Sequence, residues 1–554
     1  MAISKALNGK PAPIISLGFL DRFVNFVSPA RGLARIKSKA QIQHLQNSGI
    51  VSGNNSRRSM RGWQTDSASA DADLIPGLDT IRARSRDLWA NAPIARGALR
   101  RARTNVIGPG LILQCQINKD ALGLTDEQAD DWERDTEARF DAWASNKDCD
   151  LTRVNNFYEL QGLAYLSMLM SGDLFSLLPR NERLNIDSDL RIALYEADQV
   201  SNPQYNMDTD KLAGGIELDR NGAPAKYWFT TKHPGGFMVP GLQWIGVPAF
   251  GRLTGRRNVI HLFQRERPNQ RRGEPFLSPV VESLKQLTRY SEAELMAAVI
   301  QSFFTVFVKQ EIKSANPLQQ SIDASQRLTD PASTPQDKAM YEMGNGNIIG
   351  LDENESVEMA DPNRPSSKFD PFFTAVVRQI GAALEIPFEQ LILHFTASYS
   401  ASRGALLEAW KFYRDRRIFM GRNFCDPIYQ EWLYEEIIKG RIRAPGFLTD
   451  NYKRWAWSRA GWVGPGQGQI DPVKESKGSK IKLDELLSDF ETEYTAIHGG
   501  NWEAAMRRRK RQEKFLERIG VERQKTTAAG AGAAGSVQLD LFEGQDRTDP
   551  LPEE

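Results

Sequence analysis

Residues 157–178 read FYELQGLAYLSMLMSGDLFSLL, and the change of pattern inside this stretch divides the rest of the chain. From Phe157 to Met170 apolar side chains cover most faces of a helix, which marks it as buried. Beyond Ser171-Gly172 the period shortens, and Leu174 to Leu178 is a short β-like run. Similar runs follow at Arg191 to Tyr195, Ala225 to Thr230 and Val259 to Phe263. Between them stand Asn221-Gly222, a strong hairpin signal, and the turns Pro234-Gly235-Gly236 and Pro240-Gly241. A β-rich module thus lies between two helical stretches, and the chain reads as α+β, mostly helical.

Downstream, Ser278-Pro279 reads as a cap with proline at the first helical position. Val281, Leu284, Leu287, Leu295, Ala298 and Val299 recur at helical steps, so this helix is expected to run about 30 residues, near 45 Å. Residues 313–345 are polar, a loop or insertion. Asp370-Pro371 opens another helix that Pro387 ends; one more starts near Ser402, and Asp426-Pro427 begins the next, closed by Gly440. Upstream, residues 1–75 read as a weakly ordered arm. Helix begins near Asp79, is divided at Pro93, and stops at Asn105 to Gly110. Residues 125–145 make an acidic amphipathic helix, with Thr125 and Gln128 set for a capping box and Trp132, Phe140 and Trp143 as apolar anchors. The Ala/Gly stretch 526–536 and the acidic end are expected to be disordered.

The 554 residues carry 71 Lys+Arg against 70 Asp+Glu, a formal charge of +1. That balance excludes a bulk polycation that coats nucleic acid. It hides strong segregation. Residues 81–103 hold Arg82, Arg84, Arg86, Arg96, Arg100, Arg101 and Arg103 against Asp87 alone, while 120–141 are acidic. Arginine returns between Arg252 and Arg272, and Arg507-Arg508-Arg509-Lys510-Arg511 forms a compact basic block. Such blocks are solvated faces, intersubunit partners, or both. Three dispersed cysteines predict a reducing setting without disulfides. The most apolar run, Leu295 to Val308, is too short to span a membrane. No P-loop, GxSxG, HExxH or EF-hand spacing occurs, and the five histidines show no ligand spacing. His394 lacks a nominated nucleophile. Trp455, Trp457 and Trp462 beside Arg454 and Arg459 read as packing residues rather than a base-stacking platform.

Several ordered blocks carry a resemblance. Arg84-Ser85-Arg86-Asp87-Leu88 with Asn91-Ala92-Pro93 and Asn105-Val106-Ile107-Gly108 is one. Another is His261-Leu262-Phe263 followed by Arg267 to Pro275 and Ser278-Pro279. Pro365 to Phe372 through Ile386-Pro387-Phe388-Glu389, then Tyr399-Ser400-Ala401-Ser402-Arg403, Pro427-Ile428-Tyr429 and Asp471-Pro472, continue the series. In this order they resemble lambda-type tailed-bacteriophage portal proteins over roughly residues 75–520. Gly466-Gln467-Gly468-Gln469 and Gly404 depart from the family pattern.

The resemblance implies a non-enzymatic ring, usually of twelve copies, at one vertex of a phage head, through whose channel double-stranded DNA enters and leaves. Its implied partners are further copies of itself, DNA, terminase, major capsid or scaffold proteins, and head-completion or tail proteins, with no membrane, metal or cofactor. The implied location is the virion, and the host cytoplasm during assembly. The family fold has wing, stem, clip and crown regions, with the clip inserted between stem helices. Mapped onto this chain, 1–75 is the arm and 76–178 the helical wing with a first stem helix. Residues 179–272 become the clip-like module, 273–312 the second stem helix, and 313–440 the tunnel-loop region with wing and crown helices. Residues 441–525 make the crown with the basic block, and 526–554 the tail. Arg507, Arg508, Arg509, Lys510 and Arg511 are the expected DNA contacts. Two alternatives stay open on the residues alone: a DNA-processing enzyme such as a metal-dependent nuclease, and a generic head–tail adaptor.

Overall fold

The computed structural model describes residues 67–520 except 185, 237–240, 303–305, 311–354, 360–368, 395–397 and 470. The arm up to residue 66, the polar loop 313–345, the Pro365-to-Lys368 block and the tail therefore lie outside the described residues. Helix α1 spans Ala70–Asn91 and α2 spans Pro93–Val106, divided at Pro93 as the sequence predicts. The start of α1 corrects the expected arm boundary. Ser69 caps it by accepting from the Ala72 amide, and Asp71 and Asp73 favour the first turn's dipole. Arg271 and Arg267, about 200 residues downstream, pair with Asp71 and Asp73 respectively.

Strand β1, Ile112–Cys115, leads to α3, Asp126–Ala144, whose Thr125–Gln128 capping box forms as read. Helix α4, Phe157–Ser171, has its own box from Asn156 and Glu159. The β module contributes β2 (Asp173–Leu177), β3 (Ala193–Glu196), β4 (Leu212–Ala213), β5 (Ile216–Leu218), β6 (Pro224–Thr230), β7 (Trp244–Pro248) and β8 (Val259–Phe263). One sheet orders β3-β2-β8 and a second orders β4-β5-β6-β7, all antiparallel.

Both faces of β2 are buried. Leu174 with Ile260 and Leu262 of β8 joins the large helical core, while Phe175 with Val259 joins a small core containing Ile216, Tyr227 and Phe229. The module is thus no outlying insertion. Alternate residues of one strand serve two cores, which ties the sheet to α4. Helix α4 packs on α1, α2 and β2.

A 3₁₀ turn at Ser278–Val280 precedes α5, Val281–Ser302. Ser278 provides no side-chain cap, so that expectation fails; Pro279 tightens the turn instead. The helix also stops well short of residue 312. Val306, Phe307 and Val308 are β-branched or aromatic, and they enter β9, Val306–Gln310, which pairs antiparallel with β10, Glu355–Met359. Next comes α6, Phe369–Ala383, which packs directly on α5. A short helix, α7 (Phe388–Ile392), precedes α8, Tyr399–Met420, capped by Ser398. A π turn, Gly421–Cys425, carries α8 straight into α9, Asp426–Ile438. The chain closes with α10 (Asn451–Trp457), β11 (Ala460–Val463), α11 (Pro472–Asp484), α12 (Phe490–His498) and α13 (Trp502–Arg518).

Strand β11 returns to pair with β1, Ile112 opposite Val463, joining the two ends of the described chain. Where they meet, the Phe140 ring stands edge-on to Phe157, Tyr429, Trp432 and Trp462 at centroid distances of 5.6, 5.6, 5.1 and 5.9 Å. These rings fix α3, α4, α9 and β11 to one another.

Candidate nucleic-acid interface

The basic block sits on α13. Asn501 caps this helix by accepting from Ala504, and Trp502 stacks on Phe490 of α12 at 6.0 Å. The turn into it needs Gly499, whose φ is +68° and where a Cβ would meet the Gly464 carbonyl at 2.6 Å. Arg507, Arg508, Arg509, Lys510 and Arg511 are all exposed. Arg509 pairs with Glu513 at 3.0 Å, and Arg507 pairs with Glu503 one turn back. Arg508, Lys510 and Arg511 form no ion pair among the described residues. Exposed pairs of this kind neutralise little, so the helix keeps a cationic face.

That face has a counterpart. Arg507, Arg508 and Arg511 line a cleft of about 660 Å³ whose opposite wall is α3, with Arg134, Glu137 and Asp141. Two α3 carboxylates turn inward to the β1 segment: Glu137 accepts from the Cys115 amide at 2.8 Å and Glu133 from Ile117 at 2.7 Å. Partial burial pushes both carboxyls up to about 7. Asp141 accepts from the Tyr158 hydroxyl at 2.6 Å. A row of cationic side chains along one exposed helix can hold phosphates without reading sequence.

The other arginine blocks behave differently. Arg82 and Arg272 are buried on either side of Asp173, itself fully buried. Arg82 Nη2 donates to Asp173 Oδ1 at 2.9 Å, and Arg272 donates to Oδ2 from Nε at 2.6 Å and to Oδ1 from Nη2 at 3.1 Å. The remaining Arg272 protons go to the carbonyls of Val200, Gly214 and Ala197. Gly172 and Gly273 let the two chain segments approach: a Cβ on Gly273 would lie 2.0 Å from the Gly172 carbonyl oxygen. The adjoining guanidiniums hold the Asp173 carboxyl far below the ordinary carboxylate range despite its burial. His261, stacked between Phe175 and Phe263, stands 3.4 Å from the same carboxylate, and burial lowers its pKa. Arg86 pairs with Asp198, Arg256 with Glu431, Arg267 with Asp73 and Arg271 with Asp71. Much of the charge expected between subunits is thus neutralised inside the chain, chiefly in fastening the β module to α1. On α2, Arg96 and Arg100 remain exposed, over the Trp89 ring at 5.3 and 5.8 Å.

Among the described residues, Glu196, Asp198 and His233 alone bring three potential metal ligands together. The Arg86 guanidinium lies against both carboxylates, so the cation they attract is already present. His394 is exposed, and the three cysteines are buried and free. Trp457 is buried against Trp132 at 4.7 Å and Trp462 donates to Asp426 at 2.6 Å, as packing residues should. Trp455, half exposed, departs from that reading. No helix among the described residues is long and apolar enough to cross a membrane.

Residues 56–417 match the family model described as phage portal protein, lambda family. The chain is similar to the portal protein of Escherichia phage N15, 24% identical over 453 residues, covering 78% of this chain and 84% of that one. It is also similar to portal protein B of Escherichia phage lambda, 23% identical, covering 78% and 83%. Among solved structures, a chain of the virion of a native gene transfer agent particle aligns at 12% identity with a TM-score of 0.39, covering 75% of this chain and 90% of that one.

Proposed function

Because the chain belongs to the lambda family of phage portal proteins, we propose that it assembles into a ring at the capsid's portal vertex and passes double-stranded DNA during packaging and ejection. The observation that carries this reading is the family match over residues 56–417, which spans α1 through most of α8. In a packaging reaction with cognate heads and motor, DNA should become nuclease-resistant only when this chain is present. Full protection in its absence would overturn the reading. Among the described residues, the one three-ligand cluster a metal-dependent nuclease could use already holds the Arg86 guanidinium.

A channel subunit should hold DNA weakly, because every neutralised phosphate adds salt-dependent affinity and slows sliding. The α13 block, Arg507 to Arg511, is the proposed DNA contact, facing the head interior rather than the narrow channel. Its exposure, and three cations that form no ion pair among the described residues, support this role. Replacing all five by Ala should impair packaging or DNA retention; unchanged behaviour in both would count against the contact.

Terminase and later head-completion proteins dock, in this reading, on the element placed between stem helices. We assign that role to the paired strands β9 and β10 in place of the 179–272 module first expected to be the clip. The strand pair stands between α5 and α6 in sequence, and those helices pack on each other, whereas β2 and β8 of the module join the helical core, which supports this assignment. A chain shortened between Gln310 and Glu355 should lose motor docking and still fold; normal docking would remove the assignment.

A further inference from the structure

A second cleft, of about 970 Å³, opens where the segment before β8 meets α9, α10 and β11. Its rim carries two matched pairs. The Arg257 guanidinium lies 5.1 Å from the centre of the Phe250 ring, and that of Arg459 lies 5.4 Å from the centre of the Trp455 ring. Both rings are solvent-exposed, Phe250 at 45% and Trp455 at 50%. Arg422 and Arg454 also line the cleft. None of these four arginines forms an ion pair among the described residues; Arg454 donates only to the carbonyls of Phe447 and Leu448. Of the two carboxylates in the wall, Glu431 is already paired with Arg256 and Arg180, and Asp426 accepts from Trp462. The cleft is therefore cationic with exposed aromatic surface, a combination suited to an acidic peptide bearing apolar side chains.

The chain carries such a peptide. Gln538-Leu539-Asp540-Leu541-Phe542-Glu543 begins a segment that also holds Asp546, Asp549, Glu553 and Glu554 against Arg547 alone. It follows α13 through the Ala/Gly-rich stretch 526–536. From Arg518 to Gln538 an extended chain reaches up to roughly 65 Å, and a flexible one averages about 25 Å. The target is near enough. Gln116 lines this cleft, while Ile112 and Leu113, a few strand residues before it, line the cleft against Arg507 and Arg508. Adding about 10–13 Å along that strand, about 16 Å along α13 and roughly 10 Å across the cleft between them keeps the entrance within roughly 40 Å of the helix end, inside the reach of the extended chain.

We propose that the acidic segment 538–554 docks in this arginine–aromatic cleft, in its own chain or in a neighbouring copy. Leu541 and Phe542 lie on the Phe250 and Trp455 rings, and the carboxylates meet Arg257, Arg422 and Arg459. The tether supplies a high effective concentration, so modest contacts suffice.

The test uses the full chain and a fluorescein-labelled synthetic peptide of residues 536–554, read by anisotropy. The unaltered chain should bind the peptide poorly, because its own segment fills the cleft. A chain carrying Asp540→Asn, Phe542→Ala, Glu543→Gln and Asp546→Asn should bind it at least about tenfold more tightly. Adding Arg257→Glu and Arg459→Glu to that chain should abolish the gain while leaving its circular dichroism and melting temperature in place. Equal binding by all three chains, or none by any, overturns the proposal. If a short DNA duplex, and not the peptide, loses affinity through Arg257→Glu and Arg459→Glu, the cleft is a nucleic-acid site and the proposal is wrong. A peptide with Leu541→Ala and Phe542→Ala that bound as well as the original would also exclude it.

Discussion

Asp173 shows how little a residue's type says about its role. In sequence, Arg82 and Arg84 are equal members of one basic block, yet Arg82 is buried against Asp173 and Arg84 is exposed. The partner lies across an α1–β2 contact that no spacing predicts, so the sequence could locate the charge but not its burial. Asp173→Ala would leave two buried guanidinium groups facing each other, and a loss of about 3–5 kcal/mol in denaturant unfolding is expected. The acid dependence follows from the depressed carboxyl. Asp173 is ionised in the folded chain below the pH at which the unfolded chain protonates it, so its stabilisation is present above about 3.9 and falls away at lower pH. Glu133 and Glu137 work in the opposite direction. Their folded pKa of about 7 exceeds the ordinary value near 4.3, so their contribution favours folding at low pH and is lost as pH rises through 7. Melting temperature should therefore decline between about pH 4.5 and 7 and level off above that, and Glu133→Gln with Glu137→Gln should flatten that decline. An unchanged slope in the double variant would contradict the assignment.

Elements with local causes were legible. The capping box of α3, the division at Pro93 and the turn at Asn221-Gly222 all follow from neighbours within a few residues. Thr125→Ala should accordingly cost about 1 kcal/mol, measurable by denaturant unfolding. Elements with distant causes were not. Strands β1 and β11 are four residues each and exist because they pair with one another across most of the described chain. The end of α5 was misread because an apolar run carries no mark of whether helix or strand will bury it; β10, far downstream, decides. The same distance hides the close approach of Gly172 and Gly273. Gly273→Ala should strongly destabilise the junction of α4, β2 and the Arg272 segment, since its new methyl meets backbone that cannot rotate away. Retained solubility and an unchanged melting temperature would show that this junction yields more easily than its geometry implies.

At the scale of the whole molecule, the net charge of +1 is the sum of charges put to three uses. Some, around Asp173, fasten the β module inside the chain; some, on α2 and α3, remain on open faces; and the exposed α13 block is the one proposed to meet a polyanion. The family and its helical architecture were readable in the order of short sequence blocks. The site was readable only in part: the basic block was visible, while the α3 wall opposite it and the arginine–aromatic cleft depend on how distant segments pack. DNA affinity of the assembled protein should weaken with salt, and the five-alanine variant should reduce the logarithmic slope by about 0.9 for each phosphate it no longer neutralises. Assembly itself is the most direct test of the portal reading. Electron microscopy of the purified full chain should show closed rings with a central hole wide enough for duplex DNA. A uniform population of monomers under assembly conditions, degrading DNA when a divalent metal is added, would contradict it.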